Sequence, residues 1–528
     1  MIMIKSITKE PRYRFLVIMT NYLEDCIYEM LKYREFTSRI KRYLMRGYSR
    51  TLEVPYDKNR AEVCEKSYFH IREIISSHML FLGDFKHINL LISFKKYAFL
   101  IFVTVFSFLF ILGLYLRYPI MYGIDGPFYL VQVRHIVEKG VPKYADPPLT
   151  FYMLVPFYIL FPDKMLGLKV GTSLYVTLTA TLLYLLFSQS SNDNIVGLIS
   201  SLFFIISPFT IRLYTDFIKN TIGLLFIVLL LYSIYCIRSK RTTIALILFS
   251  AIGVTLSHVL DFAVFTLLVA LMFLKLLIFK EKYSKELRFR VTVALGVSIA
   301  LLLACLAIPQ IVGYDTRKLF SFLEQPLSEE QHTMTSNIAY TLRNFPLSLF
   351  LCSAGIFYSL ARSSPLSPIF FASSILIVML NFPLISKAWL FRFELMNSIL
   401  IPLVIPIAIL AVKSREAKVL ILLIILGFAT MITVPMIPRL RPSIPLLEYT
   451  ELELIPAYIP EGSTLIVPNT RLRYWVEALH EDKYEILSKP LKPPVGAYLI
   501  IETKMRTPPF PPLFNGKYIK IYLIRLRR

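Results

Sequence analysis

The sequence predicts a mainly α, polytopic membrane protein, with about eleven transmembrane helices, one more helix lying at the outer surface, and a small α/β C-terminal domain. Three observations carry that prediction. The chain of 528 residues is 56% hydrophobic and only 18% charged, with a mean hydropathy of +0.60. Soluble domains carry about 25% charged residues, so this apolar surface must face something other than water. Apolar runs recur between 97 and 437, most of them close to the roughly 20 residues that a helix needs to cross the hydrocarbon. The short loops with the most basic charge fall where a consistent topology puts them on one side.

Composition also excludes classes. Of the five cysteines, Cys236, Cys305 and Cys352 lie inside apolar runs and Cys26 and Cys64 outside them, so no disulfide scaffold is implied. Lys plus Arg number 58 against 35 acidic residues, a net charge of +23. In a soluble protein that excess would point to nucleic acid; here the charges flank spans, so the expected partner is the bilayer and no nucleic acid.

Residues 1–94 carry 16 basic and 11 acidic side chains, with helical periodicity around 15–46, and read as a cytoplasmic basic cap on the anionic inner leaflet. The transmembrane domain is 95–437. Its first span runs from Tyr97 to about Leu116, too far into the chain for a cleavable signal peptide. Further spans are expected at 165–188, 194–209, 217–237, 242–258, 260–279, 291–311, 345–361, 366–385, 394–412 and 419–437. The loops at 238–241, 280–290 and 413–418 hold Arg238, Lys240 and Arg241, five basic residues from Lys280 to Arg290, and Lys413, Arg415 and Lys418. All three are expected in the cytoplasm. Only an even number of crossings then fits between 118 and 210, so 148–162, short and with Pro156 in its middle, should lie in the outer interface. The outer side receives a long loop at 118–164, shorter ones at 210–217 and 386–393, a loop of about 31 residues at 312–343, and the tail 438–528. That tail is rich in proline, with strand patterns at 463–467, 497–502 and 517–526 and a helical stretch around 474–480.

Ionisable groups at the ends of spans are the default place to look for function. Asp125 follows span one, between Gly123 and Gly126, and Pro127 is suited to start a helix; the aspartate could equally cap that helix. Asp146 precedes Pro147 and Pro148, with the same two roles open. Asp216 and Lys219, three apart, are expected on one face of the next helix, with Asn220 beside them. Arg212 stands just upstream. Arg392, among Trp389, Phe391 and Phe393, fits either an interfacial anchor or a lipid phosphate, and His258 ends a span on the same side.

The joint ordering resembles the membrane-embedded GT-C glycosyltransferases, which include oligosaccharyltransferase catalytic subunits, protein O-mannosyltransferases and aminoarabinose transferases. Gly123-Ile124-Asp125 followed by Phe128-Tyr129 and Arg134 looks like their first-loop acidic motif. Asp146-Pro147-Pro148-Leu149 resembles their Pro-Pro-Leu segment, and Asp216 matches their second-loop acidic position. The resemblance covers about 97–437. It implies an inverting enzyme that moves a sugar from a polyprenyl-phosphate donor to a protein, lipid or glycan acceptor at the outer face of the cell membrane. It makes Asp125 the base and Asp216 a second acidic group. Lys219 and Arg392 become phosphate binders, with Asn220, Arg212, His258, Asp146 and Tyr129 as further substrate-binding residues.

Two departures narrow the expectation. The Trp-Trp-Asp-Tyr-Gly motif of oligosaccharyltransferases is missing, its nearest counterpart being Arg473-Tyr474-Trp475-Val476-Glu477. No second carboxylate adjoins Asp216. A monophosphate-linked donor without obligatory metal is therefore expected. The alternatives are an oligosaccharyltransferase-like enzyme on a diphosphate-linked glycan, with Mg or Mn, a lipid or glycan transporter, or a non-catalytic scaffold.

Overall fold

The computed structural model describes residues 85–308, 346–362, 364–382, 387–488, 490, 494–505 and 508–524. The expected basic cap up to 84 and the loop at 312–343 lie outside the described residues. Residues 1–92 and 93–528 are two separate units, the second of which holds the helix bundle and the C-terminal part.

The helices run in the order α1 (Phe85–Tyr115), α2 (Asp125–Lys139), α3 (Leu149–Leu160), α4 (Lys164–Ser191), α5 (Asn194–Ile206), α6 (Pro208–Asp216), α7 (Ile218–Tyr235), α8 (Lys240–Ser257), α9 (Val259–Ile278) and α10 (Lys285–Ala307). They continue as α11 (Pro346–Ala361), α12 (Ser367–Leu380), α13 (Lys387–Leu395), α14 (Asn397–Val404), α15 (Ile407–Leu410) and α16 (Arg415–Thr433). Side chains that compete with turn hydrogen bonds mark several starts: Asp163, Asp193, Ser239, Ser284 and Ser414 each accept a backbone N–H of the helix they precede. Among the described residues seven helices are long and apolar enough to cross a membrane. Two bent pairs, α5–α6 at 53° and Trp389–Leu395 with Asn397–Leu410 at 42°, raise this to nine if each is one span. The other two expected spans are α11 and α12, helices of 16 and 14 residues, short of the roughly 20 that a straight crossing needs. The chain is a multi-pass membrane protein by these helices, and the described residues do not confirm the count of eleven.

Contacts between loops sort the helix ends. Asp193, in a turn without basic residues, pairs with Lys418 in the first turn of α16. Arg290 donates to the carbonyls of Ile234 and Ile237 at 2.9 and 2.6 Å, joining two further basic turns. At the other end of the bundle Arg117 reaches the Ile437 carbonyl at 2.7 Å, and the buried Lys169 ammonium holds the carbonyls of Tyr118 and Pro119 at 2.7 and 2.8 Å. The segment 148–162 forms α3, twelve residues resting on α4, where Tyr175 donates to the Met153 carbonyl at 2.7 Å.

The C-terminal part holds α17 (Leu446–Glu453), α18 (Ile455–Tyr458) and α19 (Thr470–His480), with a five-stranded sheet. Its strands are β1 (Thr464–Ile466), β2 (Glu485–Leu487), β3 (Tyr498–Glu502), β4 (Phe514–Asn515) and β5 (Ile519–Leu523), in the order β2-β1-β3-β5-β4. β1 is parallel to β2 and β3, and β5 is antiparallel to β3 and β4. The three longer-patterned strands and the helix fall where alternation and helical period put them; β2 and β4, of three and two residues, are too short to leave a pattern. Trp475 is wholly buried, its indole N–H donating to Ser443 Oγ at 3.0 Å, and forms the centre of this part's core.

Candidate active site

The site is built at the bundle end that carries Arg117 and Ile437. Span one stops at Tyr115, whose hydroxyl donates to the Tyr214 carbonyl and so ties the end of α1 to α6. The chain turns at Gly123, which takes φ +63°, a region that glycine enters without strain. Its N–H donates to the Arg441 carbonyl at 3.3 Å, and the Asp216 carboxylate lies so close to its α-carbon that a Cβ would have no room. Helix α2 then opens at Asp125 itself. The residue at the cap position is Ile124, which offers no capping oxygen, so Asp125 is not the cap that its sequence allowed. It stands in the first turn, where the helix dipole favours a carboxylate.

Asp125 is half-buried, and its charge acts on Asp216, on Tyr129 one turn along α2, and on Tyr474 of α19. Burial first, and the Asp125 and Asp146 charges next to it, push the Tyr129 phenol well above its usual value. Tyr129 is therefore neutral, and its oxygen accepts the backbone N–H of Lys219 at 3.1 Å.

Asp216 and Lys219 are not on one helical face. The helix breaks at Phe217 (φ −129°, ψ 62°), leaving Asp216 as the last residue of α6 and Lys219 in the first turn of α7. Lys219 pairs instead with Asp146, Nζ to Oδ2 at 2.8 Å, with both side chains about one-tenth exposed. That pairing also replaces the capping role for Asp146, since α3 begins three residues later behind Pro148. Asn220 turns the other way, its amide nitrogen 2.8 Å from His258 Nδ1 and 3.1 Å from Asp261 Oδ1.

Asp261 is a site residue that the sequence reading does not single out. It is fully buried in the first turn of α9 and fits only because Gly223 on α7 leaves space for its carboxylate. The available signal is a histidine and an aspartate three apart opening an apolar helix, where a charge is costly. Glu394 is missed likewise. It is buried, its Oε1 has no hydrogen-bond partner, and the Arg212 charge acts on it and on Asp216. Arg212 lies over the Phe391 ring, 4.2 Å from its centroid. Arg392, expected to bind phosphate, is exposed and stacks over Trp389 at 4.9 Å. The guanidinium placed among the carboxylates is thus that of Arg212.

The structure therefore gathers Asp125, Asp216, Tyr129, Asp146, Lys219 and Arg212, with Asn220 and His258 joined to Lys219 through α7. Arg134, part of the first-loop motif, points away to the C-terminal part. Among the described residues no cluster of three or more His, Cys, Asp or Glu side chains is disposed to hold a metal ion.

No family model and no curated protein sequence matches the chain. Solved structures do. ArnT from Cupriavidus metallidurans in the apo state superposes with a TM-score of 0.52 at 11% identity, over 81% of this chain and 98% of that one. The archaeal oligosaccharyltransferase AglB from Archaeoglobus fulgidus, in complex with an inhibitory peptide and a dolichol-phosphate, gives 0.51 at 13% identity, over 76% of this chain. This chain spans 66% of that longer protein, just under two thirds of its length. The apo form of the same oligosaccharyltransferase gives 0.51 over 78% and 70% of the two chains. The chain has the fold of the GT-C membrane glycosyltransferases.

Proposed function

We propose that the protein is an integral-membrane glycosyltransferase that takes a sugar from a polyprenyl-phosphate donor and passes it, with inversion, to an acceptor at the outer face. The observation that carries this reading is the meeting of Asp125 and Asp216 with Arg212 and the Lys219–Asp146 pair at one end of an apolar helix bundle. Those groups match what the reaction demands. The acceptor hydroxyl or amine gives its proton to Asp125 as its oxygen or nitrogen bonds to the anomeric carbon. The bond from that carbon to the phosphate oxygen breaks on the opposite face, and its electrons leave with the phosphate. Carboxylates offset the positive charge that builds on the sugar, and a nearby cation offsets the charge on the departing phosphate.

Lys219 and Arg212 are the cations in place. Lys219 is held by Asp146 and by Tyr129 through its backbone, so its ammonium is fixed before substrate arrives. The likeness to AglB, whose structure contains a dolichol-phosphate, supports a lipid-linked donor. Among the described residues no third carboxylate joins Asp125 and Asp216, and the Arg212 charge already acts on Asp216, which supports a reading without an obligatory divalent ion. We assign metal no step. The same reading puts the N-terminus in the cytoplasm and the tail outside.

Asp125→Asn tests the assignment. Sugar transfer from a polyprenyl-phosphate donor in proteoliposomes should fall on the order of 10²- to 10⁴-fold, while expression and detergent-solubilised folding persist. An unchanged rate would remove Asp125 as the base. A transporter or a scaffold with this fold would show no transfer in the wild-type protein.

A further inference from the structure

Besides the Gly123–Arg441 bond, the C-terminal part meets the first outer loop through α19, and these contacts are unusually polar for a buried seam. Glu477 is 1% exposed. The Tyr144 hydroxyl donates to its two carboxylate oxygens at 2.7 and 2.8 Å, across 333 residues of chain. Lys143 lies 3.4 Å from the same carboxylate and 2.7 Å from Glu481. Arg134 bonds Glu481 at 2.7 Å and the Glu477 carbonyl at 2.7 Å. Beside them Tyr474 packs on Phe128, ring centroids 5.1 Å apart, and senses the Asp125 charge.

Burying a carboxylate costs several kcal/mol unless its oxygens are paired, and here Tyr144 and Lys143 from the loop, with Arg473 Nε at 3.7 Å on α19 itself, hold Glu477. The dependence also runs the other way. Tyr144 is clamped at its backbone as well: Gln132 accepts its N–H at 2.9 Å and donates to its carbonyl at 3.1 Å. Two residues on stands Asp146, the partner of Lys219, immediately before the rigid Pro147-Pro148 pair. Tyr144 is therefore gripped by α2 at the backbone and by α19 at the side chain, and its position sets that of Asp146.

We propose that Glu477 is a positioning residue for the transfer reaction: through Tyr144 it fixes Asp146, and through Asp146 the Lys219 ammonium, so that the C-terminal part is a working wall of the active site. The inference rests on the glycosyltransferase reading above. It differs from simple docking in one respect. Glu481 shares the docking load through Arg134 and Lys143 but makes no bond to Tyr144, so of the two glutamates Glu477 is the one tied to Tyr144.

The full-length protein is reconstituted in vesicles with a polyprenyl-phosphate sugar, and kcat and KM for the donor are measured for Glu477→Gln, Tyr144→Phe, their double variant and Glu481→Gln. Glu477→Gln and Tyr144→Phe should each lower kcat about tenfold with little change in KM, because the cation that meets the departing phosphate is misplaced. The double variant should be no worse than the weaker single, since both break one link. Glu481→Gln should keep wild-type kcat. Wild-type kcat in Tyr144→Phe, multiplicative losses in the double variant, or an equal loss in Glu481→Gln would each overturn the proposal. Should Glu477→Gln fail to fold, Tyr144→Phe, which removes one hydroxyl from the loop side, decides alone. A wild-type protein that transfers no sugar would instead bring down the enzyme reading and this inference with it.

Discussion

At the scale of single residues, the decisive feature is which cation faces which carboxylate. Sequence position makes Arg392 the natural phosphate binder, since it follows a Trp-Leu-Phe run at an outer loop. Its side chain is spent on Trp389, whereas Arg212, one turn before Asp216 in α6, sits over Phe391 with Asp216 and Glu394 in electrostatic reach. Arg212 is solvent-exposed, but a cation stacked on an aromatic ring with two carboxylates in electrostatic reach is suited to meet a substrate phosphate. Arg212→Ala should therefore lower kcat/KM for the donor by at least about tenfold, and Arg392→Ala by less than about twofold. Equal losses would mean that Arg392 reaches the substrate as well. Neither placement is legible in the sequence, because α6 meets α13 only in three dimensions.

At the scale of elements, what the sequence discloses and what it hides divide along a physical line. Helices α4, α7, α8, α9 and α10 are readable because an apolar run has to bury itself or meet lipid, whatever its neighbours are. α3 is readable as a short separate helix, from the length of its apolar run and from Pro156. The break between α6 and α7 is not. Phe217 is an ordinary helical residue by propensity, and its departure from helical angles follows from tertiary packing, with its ring 5.9 Å from that of Phe391. The docking of α19 is equally invisible. In sequence, Arg473 to Glu477 is only a motif that fails to match, while in the folded chain Trp475 fills the core and Tyr474 and Glu477 face the first loop.

The same elements carry a pH dependence with two signs. Glu448, on α17, is raised from 4.5 to about 7, by burial first; the Arg471 charge opposes this, but that guanidinium is 3.6 Å away and bonds Glu502 at 2.6 Å instead. A carboxyl raised in the folded state binds its proton more tightly there than when unfolded. Its contribution is complete below 4.5 and lost as pH rises through about 7. Glu481 behaves oppositely: burial would raise it, but hydrogen bonds from Lys143 and Arg134 outweigh burial and hold it below its usual value. Its contribution is present above the usual glutamate value and lost as pH falls through the depressed one. With Trp389 replaced by Phe, Trp475 is the sole tryptophan and reports on this part alone. Its unfolding midpoint in denaturant should fall between pH 5 and pH 8, about the two flanks of the Glu448 titration, and Glu448→Gln should flatten that fall. A midpoint that rises over the same interval would show that Glu448 is ionised throughout.

At the scale of the whole molecule, the reaction requires all the gathered side chains to share one side of the bilayer, and the contacts between loops bear on that directly. Asp193 with Lys418, and Arg290 with the carbonyls of Ile234 and Ile237, hold the basic turns together at one end. Lys219 with Asp146, Asn220 with His258, and Arg117 with the Ile437 carbonyl hold the candidate site together at the other. A basic cluster at one end and a mixed, carboxylate-bearing one at the opposite end is the kind of asymmetry that orients a bundle in a bilayer, and the proposed function requires the basic end to be the cytoplasmic one. Exposed positions that touch neither cluster can report it: Lys282 lies in the turn before α10, and Pro162 lies between α3 and α4. In a background with the native cysteines replaced, a membrane-impermeant maleimide added to intact cells should label Pro162→Cys and leave Lys282→Cys unlabelled until the cells are opened. The reverse pattern would put Asp125, Asp216 and Lys219 in the cytoplasm, where a donor presented at the outer leaflet never reaches them. Labelling of both from outside would mean an even number of crossings between Pro162 and Lys282, whereas α4, the bent pair α5–α6 taken as one span, α7, α8 and α9 make five.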